Sequence, residues 1–155
     1  ARREAAVGPG ESTSESRGDD DGPGIPEGDR HRVFEPFTRL DEASGKRQIF
    51  AVEPDGRLET NLVSDDSFLS AHCFNPVASF ASPVRILFVS DRDKDDQGRA
   101  NNNIYVMNAD GSQIQQLTAN GSDDILPAWS PTDPGVVYFL SNRGGAYNLW
   151  RLRLK

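Results

Sequence analysis

Asp91-Arg92-Asp93-Lys94-Asp95-Asp96-Gln97-Gly98 carries carboxylates at alternate positions. With that spacing a loop can turn successive oxygens toward one hard cation such as calcium, so Asp91, Asp93 and Asp95 are the candidate ligands. Asp96 stands where a calcium-binding hand needs Gly, and Asn102 where it needs Glu. A solvated turn enlarged by an insertion is the plainer reading. His72-Cys73 has the residue types of a base and a nucleophile. Adjacent side chains on a strand point to opposite faces, so the two cannot pair there, and Cys73 reads as a small buried hydrophobe. The acid pairs Asp65-Asp66 and Asp123-Asp124 read as polar connections between units, not as a glycosidase pair. Trp129, Trp150, Tyr105, Tyr138 and Tyr147 have the chemistry of a sugar or peptide platform; their places on apolar strands favour core packing, with Tyr147 the most exposed. There is no Gly-x-Ser-x-Gly elbow, phosphate-binding loop or His-x-x-x-His. The expectation is no catalytic residue and no cofactor, with calcium as the one candidate ion.

The elements that must hold these residues are strands. From about Val33 onward, short apolar or alternating runs (VFEPF, QIFAV, VRILFVS, NIYVM, GVVYFLS, NLWRLRL) are separated by turn signals such as Pro54-Asp55-Gly56, Ala109-Asp110-Gly111 and Gly144-Gly145. No window carries a useful helical repeat. Residues 33–155 are therefore expected to be all-β, in antiparallel sheets, with strands near 33–38, 48–53, 57–63, 70–74, 84–90, 104–108, 112–118, 125–129, 135–141 and 147–153. Asp55-Gly56 and Asp110-Gly111 are the structural turns, read as two-residue hairpins whose glycines supply positive φ. Valine at Gly111 is expected to cost about 1–2 kcal/mol.

The 155 residues include 17 Lys+Arg against 24 Asp+Glu, a net charge of -7 that argues against nucleic acid as a partner. Residues 1–30 hold eight of those acids and four Arg, with Val7 and Ile25 as the only sizeable apolar side chains. Such a segment cannot bury enough apolar area to offset the entropy of ordering, so a disordered or extended acidic tail is expected. The one cysteine, Cys73, leaves no internal disulfide and no Cys-cluster zinc site. No apolar run approaches the ~20 residues of a membrane-spanning helix. The sequence opens without Met and without a signal peptide, which reads as a trimmed product.

Residues 49–76 lie over residues 104–131 at an offset of 55 without a gap: Ile49 on Ile104, Asp55-Gly56 on Asp110-Gly111, Leu62 on Leu117, Ser67 on Ser122, Phe74 on Trp129 and Pro76 on Pro131. After a four-residue length difference the match resumes, RILFVSDRD (85–93) over VVYFLSNRG (136–144), and Asn148-Leu149-Trp150 matches Asn103-Ile104-Tyr105. A unit of this period with four strands has the size of a β-propeller blade. Ile104 and Val106 should face one way and Tyr105 and Met107 the other; apolar residues on both faces suit a sheet stacked between two neighbours.

NIYVMNADGSQIQQLT, SDDILPAWSPTDPGVVYFLSNRGG and the following NLW resemble the WD-like repeat of the TolB-type β-propeller family. The resemblance is strong over residues 83–155 and moderate over 45–82. Asn75-Pro76-Val77 departs from the family's Ser-Pro-Asp, and the loop after Ser90 carries a six-residue insertion. The resemblance implies an incomplete propeller of two to three four-stranded blades, spanning about 31–63, 70–118 and 125–155. Fewer than three full blades cannot close a ring, which needs at least about four. The chain is therefore expected to be part of a larger propeller or assembly, with a protein partner or self-association covering its open ends. What the resemblance implies is a non-catalytic, extracytoplasmic, periplasmic scaffold subunit of bacterial type. The alternative is a piece of a propeller-containing hydrolase or lyase.

Overall fold

The computed structural model describes residues 36–53 and 56–155. The expected tail, the start of the first expected strand and Asp55 lie outside the described residues. The described chain forms β1 (Phe37–Asp41), β2 (Lys46–Val52), β3 (Glu59–Asn61), α1 (Asp66–Leu69), β4 (Cys73–Ala78), β5 (Arg85–Ser90), β6 (Asn103–Asn108), β7 (Gln115–Gln116), β8 (Asp124–Trp129), β9 (Val136–Ser141) and β10 (Asn148–Arg153). The strands make three antiparallel sheets, β1-β2-β3, β4-β5-β6-β7 and β8-β9-β10, and the sheets do not close on one another.

Period-two alternation decides how the sheets stack. On β5, Ile86 and Phe88 enter a cluster with Ile49, Leu62, Val63 and Phe68 of the first unit. Leu87 and Val89 enter a second cluster with Val137, Phe139 and Trp129 of the third sheet. Tyr105 and Met107 on β6 join the first cluster, and Ile104 and Val106 the second, as the sequence pattern requires. The middle sheet thus lines both cores, and its eight side chains on β5 and β6 are at most 4% exposed.

The turns follow the expected glycines with a different loop length. The Asn108 N–H donates to the Ser112 carbonyl, and the Gly111 N–H to the Asn108 carbonyl. This closes a three-residue loop, Ala109–Gly111, not the two-residue hairpin expected from sequence. Only Gly111 carries positive φ, at 84°; Asp110 instead accepts the Ser112 N–H on its carboxylate, and its hydrogen bonds to Ser112 lower its pKa. Gly56, at φ 72°, occupies the matching place and donates to Glu53.

The repeat needs one correction. The offset of 55 holds through Leu62 and Leu117, which donate their N–H groups to Ile49 and Ile104. It then shifts: Cys73 pairs with Ser90 and Asp124 with Ser141, an offset of 51. The residues between these points, 64–72, outnumber their counterparts 119–123 by four, and the surplus forms the single helical turn α1. Asp65 caps that turn by accepting the Ser67 N–H, just as Asn120 accepts the Ser122 N–H. Asn75-Pro76 therefore corresponds to Leu126-Pro127. Both sit at a bulge of an edge strand, and Asn75 and Leu126 share a positive φ of 52° and 51°. Trp129 matches Ala78, not Phe74, and Ser79 matches Ser130. Their N–H groups close equivalent loops onto Arg85 and Val136.

Candidate functional site: the open face of the third sheet

Asp91, Asp93 and Asp95 lie on the loop between β5 and β6, residues 91–102, which is six residues longer than its counterpart 142–147 and is pinned by a bridge between Lys94 and Ala100. Each carboxylate is held by a different group. Asp91 accepts the His72 N–H at 2.7 Å, and Asp93 accepts the Tyr105 hydroxyl. Asp95 accepts the N–H groups of Gln97 and Arg99 and the Arg99 Nε–H at 2.8 Å. These bonds, the Arg99 N–H first, lower the Asp95 pKa. No three His, Cys, Asp or Glu side chains come together as a metal site among the described residues.

His72 and Cys73 turn to different partners. His72 Nδ1 accepts the Arg47 N–H, while Cys73 lies fully buried beside Ser90 Oγ, and burial pushes its thiol up to about 11. The two acid pairs do not occupy equivalent places. Asp65 is an exposed helix cap. Asp124 is fully buried on β8, bound by both oxygens to Arg143 at 3.0 and 3.1 Å and by Asn120 Nδ2 at 2.7 Å. Of the aromatic candidates, Tyr105 and Trp129 are core residues, and Trp129 Nε1 ties the third sheet to the Val77 carbonyl of β4. Burial and the adjacent Asp93 carboxylate raise the Tyr105 pKa. Trp150 and Tyr147 stay exposed.

Strand register gives every sheet the same two faces. On one face lies a cross-strand aromatic pair: Phe37 with Phe50, Phe88 with Tyr105, and Phe139 with Trp150. An arginine stacks on each pair, Arg39 over Phe50 at 4.4 Å, Arg92 over Tyr105 at 5.4 Å and Arg143 over Trp150 at 4.5 Å. The other face is built from the alternate positions. In the middle sheet these are Leu87, Val89, Ile104 and Val106, all covered by the third sheet.

In the third sheet the matching positions are Tyr138, Leu140, Leu149 and Arg151, which point away from the core that holds Val137, Phe139 and Leu152. Leu149 is 70% exposed there, whereas its counterpart Ile104 is 1% exposed. The opposite end of the stack differs. Phe50 is only 7% exposed, because Phe37 stacks on it and Arg39, ion-paired to Glu59, lies across it. The third sheet thus ends on uncovered aliphatic side chains, and the first on an aromatic pair under an arginine. Sequence had flagged NLWRLRL as apolar but not which of its residues would be uncovered; the alternation against VVYFLS carries that signal.

No protein-family model matches the chain. Among the described residues, no helix is long and apolar enough to cross a membrane.

Proposed function

We propose that this chain is a non-catalytic protein-interaction or scaffold module, an incomplete β-propeller similar to TolB-type propellers, whose third sheet is the contact surface. The observation that carries the reading is Leu149: it stands uncovered at a position whose counterpart one unit earlier is buried by a neighbouring sheet. Large apolar side chains on a sheet face at a stacking position favour a protein partner. The resemblance of the repeat adds an extracytoplasmic, periplasmic setting. Native mass spectrometry of material purified gently from the producing cells tests the reading. A bound protein subunit is expected, and Leu149→Glu should release it. A chain that runs alone in that experiment would overturn the proposal.

A further inference from the structure

We propose that the open face of the third sheet receives the first sheet of a second copy of this chain, so that two copies close six sheets into one ring. The inference rests on the interaction-module reading and names its partner. Inside the chain, the aliphatic face of the first sheet meets the aromatic face of the second, and the aliphatic face of the second meets the aromatic face of the third. What remains is an aromatic face on the first sheet, Phe37 and Phe50 with Arg39, and a front on the third, Tyr138, Leu140 and Leu149. These are the two halves of an interface that the chain already makes twice. Docking them continues the established stack.

The arginine on the first sheet does not bar this contact. Arg92, its counterpart in function, is kept half-buried at the first internal interface, 4.5 Å from the Phe68 ring and 5.4 Å from the Tyr105 ring that Phe68 itself packs against. Charge does not oppose the contact: Glu59 and Arg39 on the first sheet's outer face neutralise each other, and Glu59 can share its carboxylate with Arg151, which lies on the third sheet's front opposite Tyr138. A head-to-tail contact between unlike faces makes a closed ring or an open fibre, depending on whether the rotation closes. Six sheets fall within the four to eight blades at which propellers close, so the closed pair is the expected form.

Sedimentation velocity of the purified full chain, from micromolar to tenths of millimolar, tests the proposal. Reversible monomer and dimer are expected, with nothing larger. Leu149→Glu on one half and Phe37→Lys on the other should each weaken self-association about thirtyfold or more, the scale of an interfacial hot spot. Circular dichroism of each variant checks that the sheets are retained. Mixing Leu149→Glu with Phe37→Lys should restore a dimer, because one intact half of each kind remains. A wild-type monomer at the highest concentration overturns the proposal. So does a dimer broken by Leu149→Glu alone, which means like faces pair, and so does growth into long polymers. A monomer that nevertheless carries a different protein in the native mass spectrum overturns this inference and leaves the interaction-module reading standing.

Discussion

Gly111→Ala should be far more damaging than Gly56→Ala, although the two glycines occupy matching positions in the repeat. Both have positive φ, 84° and 72°, where a side chain costs on the order of 1 kcal/mol. They differ in what a new Cβ would touch. At Gly56 nothing lies within 4 Å, whereas at Gly111 the Cβ would sit 2.5 Å from the Leu62 carbonyl oxygen. That oxygen is backbone of the first unit, so relief requires the first and second sheets to move apart. Forced overpacking of that kind costs about 1–3 kcal/mol more. The expected destabilisation is therefore about 1 kcal/mol for Gly56→Ala and about 2–4 kcal/mol for Gly111→Ala. Valine at Gly111 should exceed the strain-only figure of about 1–2 kcal/mol for the same reason. Urea titration followed by tryptophan fluorescence measures both, since Trp129 is buried between the second and third sheets. Equal midpoints for the two alanine variants would refute the close approach and the stacking it reports.

Removing Arg143 leaves the fully buried Asp124 without the guanidinium whose Nη2 donates to both its oxygens, so Arg143→Met should cost about 3 kcal/mol. Arg153→Met, which breaks the exposed pair with Asp133, should cost under about 1 kcal/mol; denaturant midpoints compare them. Stability should fall as pH rises above the ordinary thiol value near 9 toward about 11, because only the unfolded chain then releases the Cys73 proton. The decline is at most about 1.4 kcal/mol per pH unit, and Cys73→Ala should flatten it between about pH 9 and pH 11. Millimolar calcium should leave the melting temperature unchanged, since Asp91, Asp93 and Asp95 each already bind a different protein donor. A rise on adding calcium in differential scanning calorimetry would return the loop to the list of ion sites.

The sequence made the stacking legible where one residue type answers one demand. Alternating apolar residues in RILFVS and NIYVM placed side chains on both faces, and Gly111 marked the left-handed turn position. Other features depended on pairing that no local pattern reveals. The matches of Ser67 with Ser122 and Pro76 with Pro131 concealed the shift to an offset of 51, which only the Cys73–Ser90 and Asp124–Ser141 register exposes. The turn α1 is four residues, too short to show a helical period, although Asp65 before Phe68 and Leu69 is a cap signal. A leucine at φ 51° runs against its own propensity; Leu126 holds it at a bulge before Pro127. The cover of Phe50 by Arg39 and Glu59 was equally hidden, since it depends on β1 lying beside β2 in one register.

The β5–β6 hairpin belongs to two cores at once, and this governs how the molecule comes apart. An array of units touching only nearest neighbours loses its ends first. Here a breach in either core strips one face of the same hairpin, so damage in one core weakens the other across the thickness of a single sheet. Amide protons of Ile86–Val89 and Ile104–Met107 should therefore exchange with solvent only when the whole stack opens, while those of β1 and β10 exchange through smaller, local openings. The three sheets are in this sense a single cooperative body, with its slowest-exchanging protons at the middle of the chain's spatial order and its fastest at the two outer strands.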